Sequence, residues 1–105
     1  MLIALTTYPN KPRELKKFVT WLIKGSLVAC VSRIQYVKSY YMQEGKMMNE
    51  EEKILLVKLP LTKKTQFETY FHKHHPYVIP ELIYLSPLEV SEKYLQRVTW
   101  TPPTS

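Results

Sequence analysis

Three histidines fall within four residues in the segment His72-Lys73-His74-His75-Pro76-Tyr77, with Pro80-Glu81 close behind. On a helix, His72 and His75 stand one turn apart and offer two imidazoles to a single cation, while His74 points elsewhere. No carboxylate or thiolate accompanies that pair locally, so a third ligand has to come from another strand or subunit. The same residues have a plainer use, because protonated histidine complements the carbonyl end of a helix dipole. From local spacing alone, capping or packing outweighs metal binding. His75 is nevertheless the best functional candidate of the three, since it precedes Pro76-Tyr77 at a turn where its ring reaches a neighbouring groove. Tyr77 and Glu81 flank that turn, and a glutamate buried at a strand start needs a cation, for which Lys58 on an adjacent strand is the expected partner.

Other chemistries find little to stand on. Cys30 is the single cysteine, which excludes an internal disulfide and any zinc site built on paired cysteines; within a strand it reads as a small buried hydrophobe. No serine or cysteine occupies a glycine-rich elbow, and Gly25 and Gly45 are the only glycines, so a phosphate-cradling loop is missing. The chain is expected to have no catalytic residues and not to be an enzyme. A net charge of +6 raises the prospect of nucleic acid or an anionic ligand. The charge is spread, with Lys11, Arg13, Lys16, Lys17 and Lys24 around the first helical segment and Lys63 and Lys64 opening the second. A solvated basic surface is the simpler account.

The elements that position these residues follow from periodicity. LIALTTY, residues 2–8, begins as an apolar run typical of a buried strand and stops at Pro9. Asn10 is the expected N-cap of a helix with Pro12 in its first turn, an apolar stripe of Leu15, Phe18, Val19 and Leu22, and an end at Gly25. Residues 28–43 are rich in Val, Ile, Tyr and Ser, the mark of a long strand with a bulge near Gln35. Glu44-Gly45 makes the hairpin turn, and Lys46 to Leu59 return as a second long strand. Thr62 is the expected cap of a helix with the stripe Phe67, Tyr70, Phe71 and His74. Pro76 disfavours helical geometry at His75 and ends it. Residues 78–86 are expected to be a strand, and 88 to about 98, opened by Ser91, a closing helix.

That order is β-α-β-β-α-β plus one helix, an α+β ferredoxin-like sandwich with a long β2-β3 hairpin and a short C-terminal helix. Two helices cover only one face of such a sheet. Yet LIAL and ILLV are apolar at consecutive positions, so a partner subunit or the closing helix has to cover the other face. The hairpin also projects far enough to add strands to a neighbour's sheet. Both features predict an oligomer. At 105 residues the chain fits one domain, expected over 1–100, with a short disordered tail at 101–105. The N-terminus has no signal-peptide pattern and no segment has the roughly 18 apolar residues of a membrane span, so a cytoplasmic location without membrane partners is expected.

LVACVSRI, SYYMQEGK, EEKILLVK and HHPYVIPELIYL, in order and in register from about residue 2 to Val98, resemble the CutA divalent-cation-tolerance family. The resemblance implies a homotrimer assembled by inter-subunit strand pairing, as in PII-type signal proteins, with a role in tolerance of divalent cations, copper especially, and no assigned catalysis. It places the family's His-Pro-Tyr and Pro-Glu motif on His75, Pro76, Tyr77, Pro80 and Glu81. The preceding histidine falls on His74, the lysine ending the third strand on Lys58, and the hairpin turn on Glu44, Gly45 and Lys46. The implied ligand-binding cleft comprises Tyr41, Lys58, His75, Tyr77 and Glu81, and the implied metal ligands are His74 and His75. Departures include Gln43 for the hairpin tryptophan, Gln35-Tyr36 for a Pro-Gly turn, Arg97 for a closing tryptophan, and Thr6 for a cysteine that some members carry. Copper(I) prefers thiolate or thioether, so Thr6 argues against tight copper binding and leaves a weaker imidazole site for Cu(II), Zn or Ni.

The expectation is therefore a non-catalytic homotrimer needing no cofactor beyond a divalent cation such as Cu or Zn, with metal or a small ligand held in inter-subunit clefts. The alternative is a ferredoxin-like nucleic-acid-binding module. Such modules stack bases on aromatic residues of the third strand, and here that strand reads NEEEKILLVKL, so no nucleic acid is expected.

Overall fold

The computed structural model describes residues 1–99. In chain order these form β1 (Leu2–Pro9), α1 (Pro12–Lys24), β2 (Cys30–Gln43), β3 (Lys46–Leu59), α2 (Lys64–His74), β4 (Leu82–Leu85) and α3 (Glu92–Thr99). The four strands make one antiparallel sheet in the order β2-β3-β1-β4. β3 is thus inserted between β1 and β2, which are joined through α1, and the α+β ferredoxin-like plan follows. The tail expected over 101–105 lies outside the described residues.

Alternation along the strands decides the two faces. Ala4, Thr6 and Tyr8 of β1 and Leu55, Val57 and Leu59 of β3 point to the helices and are buried. Leu15, Phe18 and Leu22 of α1 and Phe67 and Phe71 of α2 close over them, as the helical stripes predict. The opposite face carries Ile3, Leu5, Ile54, Leu56, Ile34, Ile83 and Leu85. Ile34, Ile83 and Leu85 there are exposed within the single chain.

β2 and β3 meet at Glu44-Gly45, where φ is 50° and 79°, so both central residues of the turn are left-handed, as a tight hairpin requires. A register shift between Ile34 and Val37, with Tyr36 at φ 58°, confirms the expected bulge and keeps Ile34 and Val37 on one face. β3 pairs with β1 only from Glu52 to Leu59, so among the described residues the hairpin beyond Glu52 has no other strand beside it. The molecule is accordingly 51 Å long, and its radius of gyration of 15.0 Å exceeds the roughly 13 Å of a compact chain this size.

Several boundaries differ from expectation. α1 is capped by Lys11, one residue after Asn10, with no side-chain bond. Thr62 does not cap α2 because Leu61–Lys63 form a 3-10 turn that leads into it. The last strand occupies only residues 82–85 of the expected 78–86: Pro76 and Pro80 lack the N–H groups pairing needs, and the ladder to β1 begins at Thr6 opposite Leu82. β2 begins at Cys30 although Ala29 N–H already reaches the Lys58 carbonyl at 2.8 Å. Leu88 stays outside the closing helix and is exposed. Gly25 does end α1, but its role is close approach: a Cβ there would sit 2.8 Å from the Trp21 carbonyl oxygen.

Candidate functional site

His75 leaves the helix with ψ of 137°, which swings its ring back against the end of β1. It is 7% exposed and packs among Tyr8, Phe18, Phe71 and Tyr77, with ring centroids 5.1 to 6.0 Å away. Its Nε2 lies 2.8 Å from the Thr7 carbonyl oxygen, and its Nδ1 accepts the Tyr77 main-chain N–H at 3.1 Å. These partners fix the neutral tautomer with the proton on Nε2. Burial pushes the imidazole pKa below its ordinary value, against the opposing pull of the Thr7 bond and Glu52. Both ring nitrogens are committed, so a metal at His75 would have to displace one of them.

The turn that His75 anchors delivers Tyr77 to the helix-free face. Its hydroxyl donates to Glu52 at 2.8 Å and lies 3.5 Å from the other carboxylate, Glu50. Tyr41, from the hairpin, donates to Glu50 at 2.8 Å. Burial and the two carboxylates drive the Tyr77 pKa far upward, so it stays a protonated donor. Glu52 is 7% exposed, yet among the described residues no lysine, arginine or histidine forms an ion pair with it. A buried carboxylate with one phenol for a partner is short of positive charge.

The structure therefore joins three of the expected cleft residues, Tyr41, His75 and Tyr77, through two that sequence reasoning passed over. The signal was present: in Asn49-Glu50-Glu51-Glu52, strand alternation puts Glu50 and Glu52 on one face, about 7 Å apart. Lys58 and Glu81 stand apart from the cluster. Lys58 lies on the same face but six residues along β3, roughly 20 Å from Glu52, and its ammonium donates to Ser32. The expected pairing of Lys58 with Glu81 is corrected by the strand order: β1 separates β3 from β4, and Glu81 is exposed. His74 is exposed and stacked on Tyr70 at 4.4 Å, on the outer side of α2, while His75 turns inward. Thr6 is fully buried on the helix side, away from Glu50 and Glu52. Among the described residues, no group of three His, Cys, Asp or Glu side chains is placed to hold a metal ion. No helix among them is long and apolar enough to cross a membrane.

The CutA1 divalent ion tolerance protein family model matches residues 2–101. A chloroplastic CutA protein of Arabidopsis thaliana is 28% identical over 95 residues, covering 90% of this chain and 52% of its own length, so the chain spans about half of that plant relative. A divalent-cation tolerance protein CutA of Yersinia pestis is 31% identical over 94 residues, covering 90% of this chain and 78% of its own. Among solved structures, CutA1 of Oryza sativa superposes with a TM-score of 0.85 at 28% identity, over 92% of this chain and 88% of that one. A PII-like protein CutA of a Nostoc species in its apo form gives 0.83 at 27% identity, over 93% of each chain.

Proposed function

The chain belongs to the CutA1 divalent ion tolerance protein family, and we propose that it serves divalent-cation tolerance as a non-catalytic, cytoplasmic homotrimer that takes up a cation between its subunits. The single observation that carries the cation reading is Glu52, a buried carboxylate beside Glu50 that has no ion-pair partner among the described residues. Two carboxylates and two neutral phenols present oxygen donors, which suit a divalent ion and disfavour copper(I). In this reading Tyr41 and Tyr77 shape the site and His75 positions Tyr77, while His74, stacked on Tyr70 on the helix side, stands outside it.

Self-association is supported by the apolar face that α1 and α2 leave open, with Ile34, Ile83 and Leu85 exposed on it. Contiguous apolar surface of that kind marks an interface. Along the projecting hairpin the exposed Tyr41 and Met48 continue that face, Tyr40, Met42 and Met47 are exposed on its other side, and the loop tip at Val78 and Ile79 is exposed as well. Lys58 and Glu81, outside the carboxylate cluster, are assigned to contacts with neighbouring subunits.

Calorimetric titration with Cu(II) and Zn(II) tests the cation site. The Glu50→Gln/Glu52→Gln variant should lose uptake and His74→Ala should retain most of it. Equal uptake by the carboxylate variant and the native chain would remove these residues as ligands. Sedimentation equilibrium giving a monomer mass would overturn the assembly.

A further inference from the structure

On the helix side, remote from Glu50 and Glu52, a cavity of about 590 Å³ opens between α1 and the C-terminal end of α2. That volume lies within the range of small-molecule sites. Its walls are rings: Phe18 and Tyr8 at the base, the stacked pair Tyr70 and His74 on one side, and Trp21. Trp21 is 65% exposed, whereas Leu15, Phe18 and Leu22 of the same helix face the core, so its indole is free to cover a ring lying in the cavity. The Tyr70 hydroxyl reaches the Phe18 carbonyl at 3.4 Å, which ties the two helices together across the cavity.

Tyr8 supplies the second, independent observation. The residue as a whole is 2% exposed and lines the cavity, and its hydroxyl, which has no hydrogen-bond partner among the described residues, opens into that space. Burial, Glu14 and Tyr70 raise its pKa, so it is a protonated donor. An acceptor entering the cavity would therefore meet a free donor there. Lys11, Lys17 and Glu14 also line the space, and their formal charges sum to +1.

We propose that this cavity binds a small planar aromatic carboxylate. The ring lies against the aromatic walls, and the carboxylate accepts the Tyr8 hydroxyl with Lys11 and Lys17 as its counter-charges. Glu14 sets the charge limit, since a phosphate-rich polyanion would meet it as a like charge, whereas a monoanion balances the lining. The proposal does not depend on the cation reading, because the two sites lie on opposite faces of the sheet.

Calorimetry with 2-naphthoate, and with the uncharged 2-naphthamide as its control, tests it. The native chain should bind 2-naphthoate at least about tenfold more tightly than the amide. Trp21→Ala, at an exposed position, should weaken binding about tenfold. Tyr8→Phe keeps the packed ring and removes only the hydroxyl, and should weaken 2-naphthoate more than the amide, because the bond to a carboxylate is charge-assisted. Glu50→Gln/Glu52→Gln should bind as the native chain does. Equal affinity for acid and amide, insensitivity to Trp21→Ala, or no binding at millimolar 2-naphthoate would each overturn the proposal.

Discussion

His75 and Thr7 are 68 residues apart in sequence, and the His75 Nε2 meets the Thr7 carbonyl oxygen at 2.8 Å. Through Nδ1 the same ring holds the Tyr77 N–H, so one neutral imidazole fastens the loop after α2 to the end of β1. Everything at the carboxylate cluster depends on this fastening, because it is what brings the Tyr77 hydroxyl to Glu52.

Acid should loosen that fastening. Protonated Nδ1 can no longer accept the Tyr77 N–H, and burial lowers the folded-state pKa below the unfolded value of about 6.5. Between the two values the unfolded chain binds more protons, so stability is full above about pH 6.5 and declines as pH falls through the folded-state pKa. The charged or titratable neighbours are Glu52 on β3, which opposes the shift, His72 on α2, which adds to it, and the phenols Tyr8 and Tyr77. Urea midpoints measured from pH 7.5 to 5 should fall for the native chain and fall less for His75→Phe. Parallel profiles would assign the acid sensitivity to other groups.

Tyr77→Phe separates shape from hydrogen bonding. The ring still packs at 5.1 Å from His75, but Glu52 loses its donor while remaining buried. Leaving a buried acceptor unsatisfied costs about 1–3 kcal/mol. Chemical denaturation should show that loss, and adding Glu52→Gln should make the effect of Tyr77→Phe smaller, since the two residues act as one unit. A cost within a few tenths of a kcal/mol would mean that water already serves Glu52 in the native chain.

Local signals were legible in the sequence and long-range ones were not. Glu44-Gly45, the bulge by Gln35 and the pair Phe67 and Phe71 could be read because each depends on neighbours a few residues away. The contact of Tyr77 with Glu52 spans 25 residues and exists only after the strands have paired, so no periodicity announces it. The two histidines show the limit most sharply. The helical stripe puts His74 at the core edge, yet His75 is the buried one, because the helix ends between them and one extended residue reverses which ring faces inward. The motif resemblance named His75 and Tyr77 as cleft residues, and although its segment EEKILLVK contains Glu52, it gave no role to the carboxylates that give Tyr77 its task.

The hairpin turn offers a test free of packing. Gly45 sits at φ 79°, and a Cβ placed there would meet nothing within 4 Å. Gly45→Ala should therefore cost only the left-handed backbone penalty, about 1–2 kcal/mol. Glu44, at φ 50°, is less suited to its position than asparagine, so Glu44→Asn should stabilise by up to about 0.5 kcal/mol. Thermal melts of both variants at equal protein concentration check the signs. A neutral Gly45→Ala would show that the turn changes type to accommodate the new residue.

β4 tests the assembly most directly, because Ile83 and Leu85 point away from the helical core and are nearly half exposed in the single chain. Lysine at either position has room for its stem and water for its ammonium, so the isolated fold should lose less than about 1 kcal/mol. Against a neighbouring subunit the same ammonium would be buried without a partner, which is strongly unfavourable. Ile83→Lys/Leu85→Lys should therefore sediment as a folded monomer, with far-UV circular dichroism unchanged, whereas the proposed assembly predicts a trimer mass for the native chain. If the variant instead keeps the native mass, the apolar face of β4 is not where the subunits meet, and the projecting hairpin, with Tyr40, Met42 and Met47, becomes the place to substitute next.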